Sequence, residues 1–270
     1  MKIFKIHLLP IIILILLSIP VVAQNNNIEV PLSNPGEPGK LIVSAMFSDD
    51  IEIRSHNKEN VIVNYDGEDI RDDDKDAMKN GMRRISSGGL GLEVTEDNNE
   101  VRISTGPMPN QDFEMVVYVP RNFSLKLNTM QGDVKVSGLA GELEISAVNG
   151  DIELVDITGT VLVNSVNGDM EIDFTQINPN SPMSFTGVNG DIEVSFPANA
   201  KFTAKMKTEW GDVYTNFDMD IDRNSSRSES GDNDGTFKVA VNRWIIGEVN
   251  GGGPEFLFKT LHGDISIRKK

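Results

Sequence analysis

Aspartate carries most of the chemistry this chain could do. Asp218, Asp220, Asp222 and Glu229 fall at the first, third, fifth and twelfth positions of an EF-hand-like calcium loop. Arg223 stands where that loop needs glycine for its sharp turn, and no helical pattern flanks the segment. A second set of aspartates follows glycine at Gly132-Asp133, Gly150-Asp151, Gly168-Asp169, Gly190-Asp191, Gly211-Asp212 and Gly263-Asp264. A column of such carboxylates could offer oxygen ligands to a divalent cation. Turn chemistry alone also favours Asp beside Gly, and the calcium-binding nonapeptide repeat needs a glycine pair that these units lack. Cysteine is absent, and histidine is confined to His7, His56 and His262. Disulfides, thiolate metal centres and cysteine nucleophiles are therefore excluded. No nucleophile elbow is present, and Gly251, Gly252 and Gly253 do not lead into the Lys-Ser/Thr of a phosphate loop. Residue types thus name no catalytic and no cofactor-binding residue, and calcium at the Asp218 segment is the one cofactor they allow. Trp210 is one of two tryptophans and fills a slot that asparagine holds in other copies, which makes it the candidate surface-binding residue.

The elements that position these residues are strands. Apolar residues alternate in short runs bounded by Gly, Asn, Asp and Pro, as in Phe113 to Val119 and Phe123 to Leu127. The Gly-Asp pairs recur at intervals of 18, 18, 22, 21 and 52 residues. Around each aspartate, the positions eight before, six before, one after and three after are hydrophobic in 23 of 24 cases, Thr215 being the exception. The position four before is always small: Thr129, Ala147, Ser165, Gly187, Thr208 and Thr260. Each unit therefore reads as strand, corner, strand, and a fixed period near twenty residues predicts an all-β solenoid of β-helix type. Asn-Gly at the corner is also a hairpin signal, so a meander of hairpins is the rival, distinguished by antiparallel pairing across Asn149-Gly150. Asp50 to Ile53 and Glu100 to Ile103 resemble degenerate units. The glutamates two after the aspartates, Glu153, Glu171 and Glu193, belong to a solvated face.

Residues 1–23 read as a secretory signal, with Lys2 and Lys5 before the apolar run Leu8 to Ile19 and small residues at Val21, Val22 and Ala23. The run is short for a membrane span and contains Pro10, and no cysteine can carry a lipid. Export by a cleaved leader is expected, to the periplasm, the cell surface or the medium, with no transmembrane segment left after cleavage. Residues 24–37 read as an N-terminal linker. Residues 38–270 read as the solenoid domain, with irregular acidic loops at 66–89 and 218–236. Removing Lys2 and Lys5 takes the net charge from −16 to −18. That balance argues against nucleic acid or a bare anionic membrane as partner.

Three features complete a recognisable pattern: the ending Gly247 to Ile267 with its Gly-Gly-Gly-Pro turn, the run Gly81-Met82-Arg83-Arg84-Ile85, and Gly91-Leu92-Glu93-Val94. Together with the Gly-Asp units they resemble the DUF4097 family of bacterial β-strand-repeat proteins, described as adhesin-like, over about residues 38–270. The resemblance implies an exported or membrane-linked β-helix-like protein with no established reaction, and it supplies no catalytic residues. The expected function is a non-enzymatic envelope or cell-surface scaffold or binding module, whose partner is a surface glycan or an envelope protein. A carbohydrate-active β-helix enzyme is one alternative. An envelope-stress sensor or regulator binding a partner protein is the other.

Overall fold

Alternation of apolar and polar residues fixes the strands. In Leu143–Asn149 the side chains of Leu143, Ile145 and Ala147 are buried while Glu144 is exposed, as a half-buried strand requires. The computed structural model describes residues 26–46, 48, 50–67, 78–79, 82–83, 92–106, 113–222, 226–233 and 236–270. Among them there is no helix, hence none long and apolar enough to cross a membrane. The leader expected at 1–23 lies outside the described residues.

Two large mixed sheets hold most of the strands. The first runs in the order β1 (Asn27–Pro31), β4 (Asn60–Gly67), β9 (Phe113–Pro120), β3 (Asp50–His56), β11 (Asp133–Ser137), β13 (Ile152–Ile157), β15 (Met170–Phe174), β17 (Ile192–Phe196), β25 (Ile265–Lys269) and β19 (Val213–Thr215). The second runs β20 (Met219–Asp222), β23 (Ile245–Val249), β18 (Phe202–Lys207), β24 (Glu255–Lys259), β16 (Met183–Asn189), β14 (Val161–Asn167), β12 (Leu143–Asn149), β10 (Ser124–Thr129), β2 (Lys40–Ala45), β8 (Glu100–Ser104) and β7 (Glu93–Asp97). Two small hairpins, β5 (Met78–Lys79) with β6 (Met82–Arg83) and β21 (Ser226–Asn233) with β22 (Thr236–Arg243), stand apart.

Each Gly-Asp unit sends its first strand to the second sheet and its second strand to the first sheet. Neighbouring units pair in parallel: Leu125 faces Leu143, Leu127 faces Ile145, and Val134 faces Ile152. The hydrophobic columns read from the sequence are therefore the columns of the structure. The antiparallel pairing that a meander would need across Asn149-Gly150 is replaced by parallel pairing of β12 with β14. Inward residues of both sheets join one hydrophobic cluster. That cluster is aliphatic around Leu41, Val43, Leu127 and Ile145 and becomes aromatic toward Phe196, Phe202, Phe256 and Phe258.

Five features depart from the sequence reading. The C-terminal unit is not last in space, because β24 lies between β16 and β18, and β25 between β17 and β19. Phe256 explains the insertion: its ring stacks at 5.5 Å on Phe196 and at 4.8 Å on Phe202. The expected linker 24–37 contains β1, whose Val30, with Leu32 just beyond it, is buried, and which pairs antiparallel with β4. The expected acidic loop 218–236 contains β20 and the hairpin strand β21. Met219 and Ile221 hold β20 against β23 over Gly247, where a Cβ would lie 2.3 Å from the Met219 sulfur. Within 66–89, β4 runs on to Gly67 and β5 and β6 form strands, while the rest of that loop lies outside the described residues. The degenerate unit at Glu100 aligns through its first strand, with Glu100 facing Lys40, rather than through a post-corner strand.

Candidate binding surface beside the Gly-Asp corner

The corner is a ladder built from backbone and short side chains. Gly150 adopts φ 132°, and a Cβ there would meet the Gly132 carbonyl oxygen at 2.2 Å. Only glycine allows successive corners to approach this closely. The aspartate that follows serves the neighbouring unit: Asp133 Oδ1 accepts the Asp151 N–H at 2.8 Å, and Asp151 Oδ1 accepts that of Asp169 at 2.8 Å. The same bond links Asp169 to Asp191, Asp191 to Asp264, and Asp264 to Asp212. These carboxylates satisfy turn N–H groups, as short acceptors beside glycine do, but across units rather than within one. The small position before the corner also acts: Thr129 Oγ1 donates to the Gln131 carbonyl at 2.8 Å, and Thr208 Oγ1 to that of Gly263 at 2.9 Å.

The residue before each glycine forms a second column. Asn167 Nδ2 donates to Asn149 Oδ1 at 2.9 Å, and Asn189 Nδ2 to Asn167 Oδ1 at 2.8 Å. His262 and Trp210 continue it by parallel bridges, and their rings stack at 6.2 Å with 11° between planes. Trp210 ends the column with 71% of its surface exposed. Tyr214 stands exposed nearby, its hydroxyl 3.4 Å from Asp212 Oδ2, and the charges of Asp212 and Asp264 raise its pKa.

Beside the corner runs an apolar groove that the sequence reading did not single out. Met46, Met130, Val148, Val166 and Val188 occupy one row, and Ala45, Thr129, Ala147, Ser165 and Gly187 the row beside it. They line a cleft of about 710 Å³. Met46 is 45% exposed, Val166 40% and Val188 39%, so water covers apolar surface at the same place in successive units. From Met46 to Val188 the groove crosses five paired strands, roughly 19 Å at the usual strand spacing. Its signal was present in the sequence. Three residues before each corner aspartate stand Met130, Val148, Val166, Val188, Glu209 and Leu261, mostly apolar where alternation calls for a polar residue.

The acidic EF-hand-like segment is not brought together. Asp218 precedes an extended strand that carries Asp220 and Asp222, so the three spread over roughly 13 Å instead of closing round one ion. Glu229 lies in β21, and its side chain is outside the description. Among the described residues no three His, Asp or Glu side chains converge as a metal site. His56 Nε2 lies 2.8 Å from the Asn60 carbonyl oxygen, a local contact, and His262 belongs to the corner column. The stacked glutamates on the outer face are partly neutralised: Lys135 Nζ lies 2.5 Å from Glu153, raising the lysine pKa, and Arg268 lies 2.8 Å from Glu193.

Fold and surface together define an all-β protein of parallel-paired strand–corner–strand units that presents long, regular outer faces. Residues 122–243 match the sequence model of the Toastrack DUF4097 family, so the resemblance read from the Gly-Asp units holds over that stretch. A solved structure of a candidate cell adhesion protein from Clostridium sporogenes is similar to the chain at 13% identity and a TM-score of 0.44. It covers 92% of this chain and 100% of its own. No curated protein matches the chain.

Proposed function

We propose that this protein is an exported, non-enzymatic β-solenoid that serves at the envelope or cell surface as an adhesin-like binding module. The observation that carries the reading is the apolar groove from Met46 to Val188, held open at one position of successive units. Contiguous exposed apolar surface marks interaction sites on soluble proteins. Units that pair in parallel and share one core give such a groove a rigid backing, as a coil of stacked rungs would.

Binding of the purified full-length chain to intact cells, compared with Val166→Asp, tests this reading. The charge placed in the groove is expected to weaken attachment at least about tenfold, roughly 1.4 kcal/mol, with the melting temperature unchanged. Equal attachment by both proteins would overturn it.

A further inference from the structure

The turns opposite the Gly-Asp corner hold a second, polar cleft of about 740 Å³. Its key feature is a break in register. Leu154 faces Ile172 and Ile157 faces Phe174, so Val155 and Asp156 of β13 oppose the single residue Asp173 of β15. Asp156 adopts φ 57° at this bulge. In the neighbouring unit Ser137 faces Val155, which places Gly138, at φ 75°, beside Asp156. Glycine takes this left-handed conformation freely, whereas Asp156 holds it against the preference of its side chain. Bulges re-aim side chains and gather at functional sites.

Asp156 lines the cleft with Arg121, Ser55, Ser137, Thr158 and Gln176. Gly138 makes room for two of them: a Cβ there would lie 2.2 Å from Ser55 Oγ and 3.9 Å from Arg121 Nη1. Among the described residues no side chain pairs with Arg121 or Asp156. The cleft therefore offers one guanidinium, one carboxylate, hydroxyls and an amide with their bonding capacity unclaimed. Apart from Arg121, which follows β9, its lining comes from β3, β11, β13 and the residues just past β13 and β15, four neighbouring strands spanning roughly 14 Å.

We infer that this cleft binds a short run of an acidic oligosaccharide, about three uronic acid residues long. Arg121 takes a sugar carboxylate through two parallel N–H bonds. Asp156 accepts from ring hydroxyls, and Ser55, Ser137, Thr158 and Gln176 complete the contacts. A polyphosphate chain carries no hydroxyl for Asp156 to accept from, so that carboxylate would only repel it; in the uronate run one carboxylate meets Arg121 and the others stay in solvent. A neutral sugar would leave the guanidinium unmatched. The inference rests on the binding-module reading but concerns a different face from the apolar groove.

The test titrates trigalacturonate into the full-length chain by calorimetry, with maltotriose and sodium acetate as comparison probes. Trigalacturonate is expected to bind, maltotriose at least tenfold more weakly, and acetate at equal carboxylate concentration not to compete. Arg121→Gln is expected to lower the affinity tenfold or more. Asp156→Gly is expected to lower it severalfold while the melting temperature stays level or rises, since glycine relieves the left-handed backbone. Glu153→Gln, on the outer face of the first sheet, leaves binding as it is. Absence of trigalacturonate binding, full affinity in Arg121→Gln, or equal competition by acetate would each overturn the proposal. Cell attachment that is sensitive to Val166→Asp, alongside no trigalacturonate binding, sinks this inference alone. Attachment indifferent to Val166→Asp, alongside trigalacturonate binding that needs Arg121, sinks the groove reading alone.

Discussion

The two turns of a unit solve the same problem with different chemistry. At the Gly-Asp corner, every successive unit uses a glycine for close approach and a carboxylate that accepts the next unit's N–H. At the opposite turn, the pattern starts similarly, with a Cβ on Gly159 lying 1.7 Å from the Gly141 carbonyl oxygen, and then changes with each unit. There Asp156 replaces glycine at a left-handed position, and prolines Pro179 and Pro197 enter farther along. The corner has used up its polar groups in holding units together. The opposite turn, freed from strict repetition, keeps polar groups that no side chain among the described residues claims. Repetition thus supplies rigidity on one side and leaves the other side to diversify, in line with the general division between scaffold and loops.

The sharpest way to break this contrast is through the core that both turns enclose. Ile152→Asp buries an unpaired charge at a side chain with 1% exposure and is expected to cost about 4 kcal/mol or more, measured by urea unfolding. Its neighbour Glu153→Gln should stay within about 0.5 kcal/mol of the parent. Equal effects would mean the faces are assigned the wrong way round. Next in size is Gly150→Ala at the corner, where strain and the 2.2 Å approach to Gly132 should cost about 3 kcal/mol. Substituting Asp156 by glycine at the opposite turn should cost nothing, and a comparable loss there would erase the distinction between the turns. Asp151→Asn keeps an acceptor for Asp169 N–H but drops its charge, with an expected loss of about 1 kcal/mol.

The smallest effect lies away from both turns and reads out in pH. Glu96 accepts Ser33 N–H and Asn99 N–H, each at 2.9 Å, and these bonds lower its pKa below the ordinary 4.5. A depressed carboxyl contributes stability that is full above its unfolded pKa and is lost as pH falls through the folded value. Melting curves of Glu96→Gln and the parent should therefore differ above about pH 4.5 and converge in stronger acid. A gap that persisted at low pH would assign the contribution of Glu96 to something other than its charge.

Much of this was legible in the chain. The register of Leu125, Leu127, Val134 and Val136 against their counterparts 18 residues on follows from alternation, because a one-residue slip would expose a whole face. The groove residues were legible too, as apolar side chains at a position that alternation assigns to solvent. The place of β24 was not, since parallel pairing carries no mark of sequence order and only the fit of Phe256 between Phe196 and Phe202 decides it. The strand character of Met219–Asp222 was hidden by its aspartates, and what overrides them is the space over Gly247. The cleft around Arg121 and Asp156 depends on a bulge within a single unit, and a feature that occurs once leaves no period to read.

The interpolated position of the C-terminal strands has a consequence for how the molecule is made. Between Ser124 and Phe196 the strands of each sheet lie in the order of their synthesis. Phe202–Lys207 and Val213–Thr215 then arrive before the strands they must lie against, because Glu255–Lys259 and Ile265–Lys269 occupy the places between. The aromatic end of the core must therefore wait, open, for Glu255–Lys259 and Ile265–Lys269. A nascent chain stopped short of Glu255 would present Phe196 and Phe202 to whatever chaperone or protease is at hand.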